Sequence, residues 1–228
     1  MDEEVDIERY LIKRDPDLGR AIKIVRAARG ERLRPPPSRD NLFQALVRAV
    51  VYQRVSEASG ATVYSRIEEI IGGKLSPPKV MSLTATKLKT AGLNAAKAAY
   101  IHNIAAWFEE NAKVIKKLPS MSDEQVRTAL TDIRGVGAWS VNVVLVFHLR
   151  RLDVAPAVDP VIRTIGQAVY GRSAPPSIGF MEEKIRRWRP YRSIATMYLY
   201  QLGKLRLTAA ELRAGRTKID QVSIRSGT

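Results

Sequence analysis

Apolar residues recur at helical spacing along nearly the whole of this 228-residue chain. The clearest run lies on one face of a 3.6-residue helix and consists of Leu42, Leu46, Val47, Val50 and Val51. Asp40 stands two residues before this run and is the expected N-cap of the helix. No segment alternates apolar and polar residues between hairpin turns, the pattern typical of half-buried strands. We therefore predict an all-α fold.

Three proline-rich stretches divide the predicted helices into groups, at residues 32–40, 151–160 and 173–177. The further helices that apolar spacing and end signals predict cover residues 56–71, 95–108, 122–133, 138–149, 160–170, 181–188 and 193–202. These breaks predict a central helical lobe of residues 40–150 and a C-terminal lobe of residues 151–228. We expect residues 1–39 to form a helical segment that packs with the C-terminal lobe.

The charge balance favours a polyanionic partner. Thirty-eight Lys and Arg residues against 23 Asp and Glu give a net charge of +15 and a pI near 10.3. Nucleic acid is the first partner to consider and an acidic membrane surface the second. The charged surface of a thermophilic protein is the alternative. The acidic first residues are not typical of a secretory signal, and no apolar run is long enough to span a membrane. We expect an intracellular protein, in the cytoplasm or nucleoid.

The chain contains no cysteine, which limits the chemistry open to it. Disulfides, cysteine nucleophiles, thiolate zinc sites and an iron–sulfur cluster held by cysteines are excluded. The only two histidines are His102 and His148, and neither belongs to an HxxxH or HExxH pattern. We interpret both as structural residues and expect no catalytic metal and no organic cofactor.

A glycine-rich turn between two helices is the most informative local feature. Residues 129–149 read ALTDIRGVGAWSVNVVLVFHL, with Gly135 and Gly137 between the predicted helices. Glycines close the turn, and they let backbone N–H groups of the second helix approach a phosphate directly. A helix–hairpin–helix motif of this kind grips one DNA strand without reading sequence. An ordinary αα-hairpin is the alternative interpretation.

Asp159 follows Gly137 by 22 residues and directly precedes Pro160. Asp followed by Pro is a preferred N-cap and first helical residue, so a purely structural role would explain the pair. A carboxylate at a helix N-terminus is also kept ionised by the helix dipole. Beside a departing nucleobase it could stabilise an oxocarbenium-like sugar and orient water. The local sequence leaves both roles open.

The pattern LxxIxGVGxW…VDP resembles the helix–hairpin–helix DNA glycosylases of the HhH-GPD superfamily. The resemblance is strongest to the 3-methyladenine DNA glycosylase II branch, without its N-terminal sheet domain. Three other segments also resemble that branch, at residues 45–56, 88–105 and 188–200. The similarity covers roughly residues 40–205 in order. It implies two helical lobes with an active-site cleft between them.

The resemblance also implies an activity. The chain would be a monofunctional DNA glycosylase of base excision repair, which flips and hydrolytically removes alkylated purines of the 3-methyladenine and 7-methylguanine type. Trp139 takes the position of the lysine that makes related enzymes lyases. The implied partner is double-stranded DNA with a damaged base, with no membrane and no obligate protein partner. One alternative is a glycosylase for deaminated or mismatched bases such as uracil or hypoxanthine. The other is a non-catalytic DNA-binding module.

Site residues are carried over by the same resemblance. Asp159 would be the catalytic carboxylate, with Trp139, Tyr200 and Val143 in the base pocket. Val143 replaces an aromatic residue of the branch, so the pocket wall, and with it the substrate range, is expected to differ. The DNA-contacting residues would be Gln53, Arg54, Gly135, Val136, Gly137 and Ser140, with Arg54 at the intercalating position. The backbone carbonyls that would hold a structural monovalent cation are those of Thr131, Ile133 and Val136.

Overall fold

A computed structural model describes residues 6–35, 40–156, 158, 160–205, 207 and 211–212. Within these residues there are thirteen α-helices and no β-strand, which confirms the predicted all-α fold. No helix in this described part of the chain combines the length and hydropathy needed to cross a membrane. The chain divides into two compact units, one of residues 36–151 and one formed by residues 1–35 together with 152–228.

Among its described residues, the unit built from the two chain ends contains five α-helices. They are α1 (Ile7–Arg14), α2 (Pro16–Arg29), α11 (Pro160–Val169), α12 (Ile178–Arg187) and α13 (Arg192–Lys204). Buried Asp15 joins the N-terminal and C-terminal segments, because it accepts hydrogen bonds from Tyr170 Oη at 2.8 Å and Trp188 Nε1 at 3.0 Å. Trp188 is fully buried in the core of this unit. The N-terminal helices are therefore an integral part of the unit.

In the unit of residues 36–151, the part described from residue 40 onward contains eight α-helices. They are α3 (Leu42–Tyr52), α4 (Glu57–Ile71), α5 (Pro77–Met81), α6 (Ala85–Lys89), α7 (Ala95–Glu110), α8 (Ala112–Lys117), α9 (Asp123–Thr131) and α10 (Ala138–Val143). A 3₁₀ turn follows α8 at Leu118–Ser120, and α10 continues as a π-helical turn at Val144–His148. The apolar α3 is the central helix, and it packs against α4, α7 and α10.

Helix ends show where local sequence decides structure. Ser56 caps α4 through a hydrogen bond from Ser59 N, and Gly72 ends it with a left-handed φ of 71°. Both ends are as predicted. The predicted cap of α3 is wrong: Asn41 is the N-cap and forms a capping box with Gln44. The capping box satisfies two orphan N–H groups at once, which a cap one residue earlier could not do.

Other boundaries shift by a few residues from their predicted positions. Helix α9 ends at Thr131 instead of Ile133, and α12 begins at Ile178 instead of Met181. The short helices α5, α6 and α8 were not predicted. They have only five or six residues each, too few for apolar periodicity to reveal them.

Candidate functional site

The hairpin that the sequence singles out is formed by α9, a tight turn and α10. Val136 N donates to Ile133 O at 2.9 Å and closes the turn. Gly137 then takes the N-cap position of α10 with φ −101° and ψ 177°. Among the described residues no side chain caps the first turn of α10. The backbone N–H groups there can therefore serve an external anion.

The two glycines of the hairpin differ in what their surroundings require. Gly135 has φ +103°, and a Cβ at this position would lie 2.1 Å from Cγ of Tyr100 on α7. Glycine is required there both by backbone conformation and by the tyrosine ring. At Gly137 φ is ordinary, and beyond its chain neighbours no described atom would lie within 4 Å of a Cβ. The space that a side chain at Gly137 would occupy is therefore open.

The turn after α3 is hydrogen-bonded to the hairpin. Gln53 Nε2 donates to Gly135 O at 3.1 Å and to Ser140 Oγ at 2.9 Å. Ser140 is buried, so its side chain serves this internal network. Arg54 is exposed and has a left-handed φ of 55°. The structure thus brings Gln53, Gly135 and Ser140 together and leaves Arg54 at the tip of the turn.

A groove of about 620 Å³ lies between this turn, the start of α7 and the hairpin. Its lining residues are Gln53, Arg54, Val55, Asn94, Ala96, Lys97, Tyr100, Gly135, Val136 and Gly137. The sequence pointed to the turn and the hairpin but not to Lys97 and Tyr100. The signal that could have found them is the segment of residues 88–105, whose resemblance to the family includes both positions.

A second, mostly apolar cavity of about 170 Å³ lies beside Trp139. Trp139 is 39% exposed, so it is not a core residue, and Val143 lines the same cavity. The other lining residues are Asp40, Ala45, Arg48, Ala49, Tyr52, Phe147 and His148. An exposed indole beside an apolar cavity provides a surface on which a planar ring can stack.

Charged groups at one end of this cavity are paired with each other. Arg48 donates to both carboxylate oxygens of Asp40, at 2.5 and 3.2 Å, and its guanidinium lies 3.8 Å from the centroid of the Tyr64 ring. Burial lowers the pKa of His148, although the neighbouring Asp40 acts in the opposite direction. His148 is therefore neutral at pH 7, with an imidazole that can donate and accept hydrogen bonds.

The remaining predicted residues are spread over the chain. Tyr200 lies half-buried on α13, at the edge of the core of its own unit. Thr131 Oγ1 donates to Arg127 O at 2.7 Å, and the Ile133 carbonyl already accepts from Val136 N. Asp159 lies outside the described residues. Its role stays a prediction from sequence, as does that of Tyr200.

Comparison with known proteins gives a consistent family. The chain is 27% identical over 172 residues to the alkylbase DNA glycosidase-like protein mag2 of Schizosaccharomyces pombe, an alignment that covers 72% of this chain and 78% of that protein. Its fold is similar to that of the S. pombe 3-methyladenine DNA glycosylase Mag1 solved with abasic DNA. The TM-score is 0.79 at 24% identity, over 89% of this chain and 98% of that one.

A DNA-3-methyladenine glycosidase from Bacillus halodurans is also similar, with a TM-score of 0.71 and 26% identity over 87% of this chain and 89% of that one. The model of the family described as HhH-GPD superfamily base excision DNA repair protein matches residues 47–190. That span is more than half of the chain, and it includes the hairpin, Trp139 and the position of Asp159. The chain therefore belongs to the HhH-GPD superfamily of base excision DNA repair proteins.

Proposed function

We propose that this protein is a monofunctional DNA glycosylase that flips an alkylated purine out of duplex DNA and removes it by hydrolysis. The observation that carries the proposal is the apolar cavity beside the exposed Trp139, on the second helix of the hairpin. Relatives named as alkylbase and 3-methyladenine glycosylases support alkylated bases as the substrate class. The protein would act inside the cell, where its DNA substrate is.

The chemistry of alkylated purines fits an aromatic, mostly apolar cavity. Alkylation at N3 or N7 of a purine can leave a formal positive charge on the base, which an aromatic face attracts and stacks upon. The charge also weakens the glycosidic bond, so little further activation of the leaving group is needed. Flipping costs a few kcal/mol, and it costs least for a weakly paired base. Stacking on Trp139 would offset part of that cost.

The bond between C1′ of the sugar and the base nitrogen breaks, and its electron pair neutralises the charged base. The oxygen of a water molecule then bonds to C1′ and releases a proton. The Asp159 carboxylate would stabilise the positive sugar in the transition state and orient that water. Tyr200, which the resemblance places in the pocket, would supply a second aromatic contact. Because Trp139 replaces the lyase lysine, no Schiff base would form at this position.

The hairpin would hold the DNA backbone. A phosphate could bind to the first N–H groups of α10, because the space beside Gly137 is open. The exposed Arg54 would enter the space vacated by the flipped base. A monovalent cation would be held by the carbonyls of Thr131, Ile133 and Val136. A carbonyl has two lone pairs, so Ile133 O can accept from Val136 N and still bind a cation. Such a cation would add positive charge next to the phosphate.

A specific observation favours a second candidate substrate class. Tyr52 and His148 both line the cavity beside Trp139, and both carry polar atoms that could read the edge of a neutral base. Hypoxanthine, which offers a carbonyl and an N–H group, is the kind of base that such groups select. The reaction would remain a hydrolytic base release.

A panel of duplexes that each carry one lesion tests both candidates. We expect single-turnover release of 7-methylguanine or 3-methyladenine to exceed release of hypoxanthine and uracil. Rapid release of hypoxanthine with both methylpurines left in place would replace the first candidate by the second. Tight binding of lesion DNA with no base released from any duplex would instead indicate a DNA-binding module.

A further inference from the structure

We infer that Lys97 is a positioning residue for base extrusion: its ammonium group fixes the turn of residues 53–55, so that Arg54 is presented to the DNA in a single conformation. The inference rests on the proposed glycosylase function. Neither the local sequence nor the resemblance gives Lys97 a role. Its contacts lie wholly within the unit of residues 36–151.

The ammonium group of Lys97 is bound at the end of α3. Lys97 Nζ donates to Val51 O at 2.7 Å and to Gln53 O at 2.8 Å. These carbonyls lie at the C-terminal end of α3, where the last carbonyls of a helix have no intrahelical partner. A positive charge there is also favoured by the helix dipole. Lys97 therefore caps α3 at the residue before Arg54.

The turn after α3 is held from both sides. The carbonyl of Gln53 accepts from Lys97 on α7, while its side chain donates to Gly135 O and Ser140 Oγ in the hairpin. One residue thus links three elements: the end of α3, the start of α7 and the hairpin. If Lys97 lost its donors, Gln53 would keep its two side-chain hydrogen bonds and the longer one from its backbone N–H to Val50 O at 3.2 Å, but its carbonyl would lose the partner on α7.

The backbone of Arg54 is strained. Its φ of 55° is a left-handed conformation that a non-glycine residue adopts at a cost of about 1 kcal/mol or more. Such a conformation persists only when the surroundings hold it. Arg54 itself is exposed, so the restraint must come through its neighbours in the chain. The two hydrogen bonds from Lys97 and the two from Gln53 provide it.

A direct contact between Lys97 and a phosphate is the competing role. Lys97 lines the groove, but two of its three N–H donors are taken by short hydrogen bonds to carbonyls. A phosphate contact predicts weaker binding of all DNA, and a positioning role predicts slower extrusion with nearly unchanged binding. The two roles can therefore be separated by measuring binding and extrusion independently.

The experiment compares Lys97→Met, which keeps the apolar stem without the donors, with Lys97→Arg, which keeps a charge and donors. Lys116→Met, at an exposed position on α8, is the control for loss of one positive charge. Extrusion is followed by stopped-flow fluorescence of 2-aminopurine placed beside an abasic-site analogue or beside 7-methylguanine. Binding of undamaged duplex is measured by fluorescence anisotropy, and folding by thermal melting.

We expect Lys97→Met to slow the 2-aminopurine signal and kcat by about 10- to 10²-fold, the size of effect that a misplaced active-site group produces. KM and the Kd for undamaged DNA should stay within about twofold of those of Lys116→Met. Lys97→Arg should recover most of the loss. Should Lys97→Met fail to fold, Ser140→Ala, which removes one acceptor of Gln53, should shift extrusion in the same direction by a smaller factor.

Wild-type extrusion rates in Lys97→Met, or a loss confined to Kd for all DNA, would overturn the inference. The abasic duplex carries no base to release, so the extrusion signal does not depend on catalysis. Failure of the proposed function would appear as wild-type protein that distorts the abasic duplex but releases no base from the 7-methylguanine duplex. Failure of the inference would appear as an active wild type whose Lys97→Met variant is unchanged.

Discussion

Asp159 is the residue on which the proposed hydrolysis depends most directly. We expect Asp159→Asn to bind lesion-containing duplex with near wild-type affinity and to lose base release by about 10²- to 10³-fold, as when one stabilising group is removed from a transition state. The amide keeps the size and much of the capping ability of the carboxylate but lacks its charge. Single-turnover release from a 7-methylguanine duplex, alongside anisotropy binding, measures both quantities. Near-normal turnover by the folded variant would leave Asp159 as a helix cap only.

His148 gives a prediction for stability as a function of pH. Burial lowers the pKa of His148 below its ordinary value of 6.5, so on acidification the unfolded chain takes up this proton before the folded protein does. In that window the unfolded state binds more protons, and the free energy of unfolding falls as pH decreases below 6.5. His148→Gln should make this fall shallower. Urea denaturation at a series of pH values measures it, and parallel curves for the two proteins would contradict the assignment.

At the level of helices and turns, the hairpin offers a matched pair of glycines. Gly135→Ala should destabilise the protein by about 1–3 kcal/mol, because the new Cβ meets the Tyr100 ring and the backbone needs a positive φ. Gly137→Ala has neither cost and should change stability by less than about 0.5 kcal/mol. A bulkier Gly137→Val should instead weaken duplex binding, because its side chain would occupy the space that a DNA phosphate needs to reach the N–H groups of α10. Equal melting temperatures for the two alanine variants, or full affinity for Gly137→Val, would contradict this arrangement.

Helix α10 carries Trp139, and the sequence from residue 131 to 149 contains no lysine. A lyase needs an amine close to the anomeric carbon of the sugar. We therefore expect no covalent protein–DNA complex when borohydride is added during turnover, as judged by denaturing gel electrophoresis. An established bifunctional glycosylase serves as the positive control. Efficient trapping would mean that a lysine elsewhere in the chain reaches the site.

For the protein as a whole, we expect the net charge of +15 to dominate binding to undamaged DNA. Each phosphate neutralised by Lys or Arg releases condensed counterions, so affinity falls steeply with salt. If about four phosphates are contacted, affinity should fall about 10²-fold between roughly 50 and 200 mM salt. Anisotropy titrations over this range give the slope. A nearly flat salt dependence would mean that the basic residues are not at the DNA interface.

Neighbouring residues are enough to specify the all-α fold, most helix boundaries, the hairpin and the family. These features are local, because each depends on residues close together in the sequence. They are apolar periodicity, helix caps such as Ser56 and Gly72, and a glycine turn. Even there, the competition between Asp40 and Asn41 for one cap position was decided by Gln44, whose capping box stabilises the later start. The short helices α5, α6 and α8 cannot be predicted in this way, because five or six residues are too few to show helical periodicity.

Which distant residues share a site depends on how the helices pack. Tyr52 and His148 are far apart in the chain, yet they line one cavity with Trp139. Lys97 looks like any surface lysine in the sequence, and its two hydrogen bonds to the end of α3 exist only because α7 packs against α3. Contacts of this kind arise from packing between helices, which periodicity alone does not specify. Gly135 shows both effects. The positive φ of its turn is a local reason for glycine, whereas the Tyr100 ring, which leaves no room for a Cβ there, is a tertiary contact.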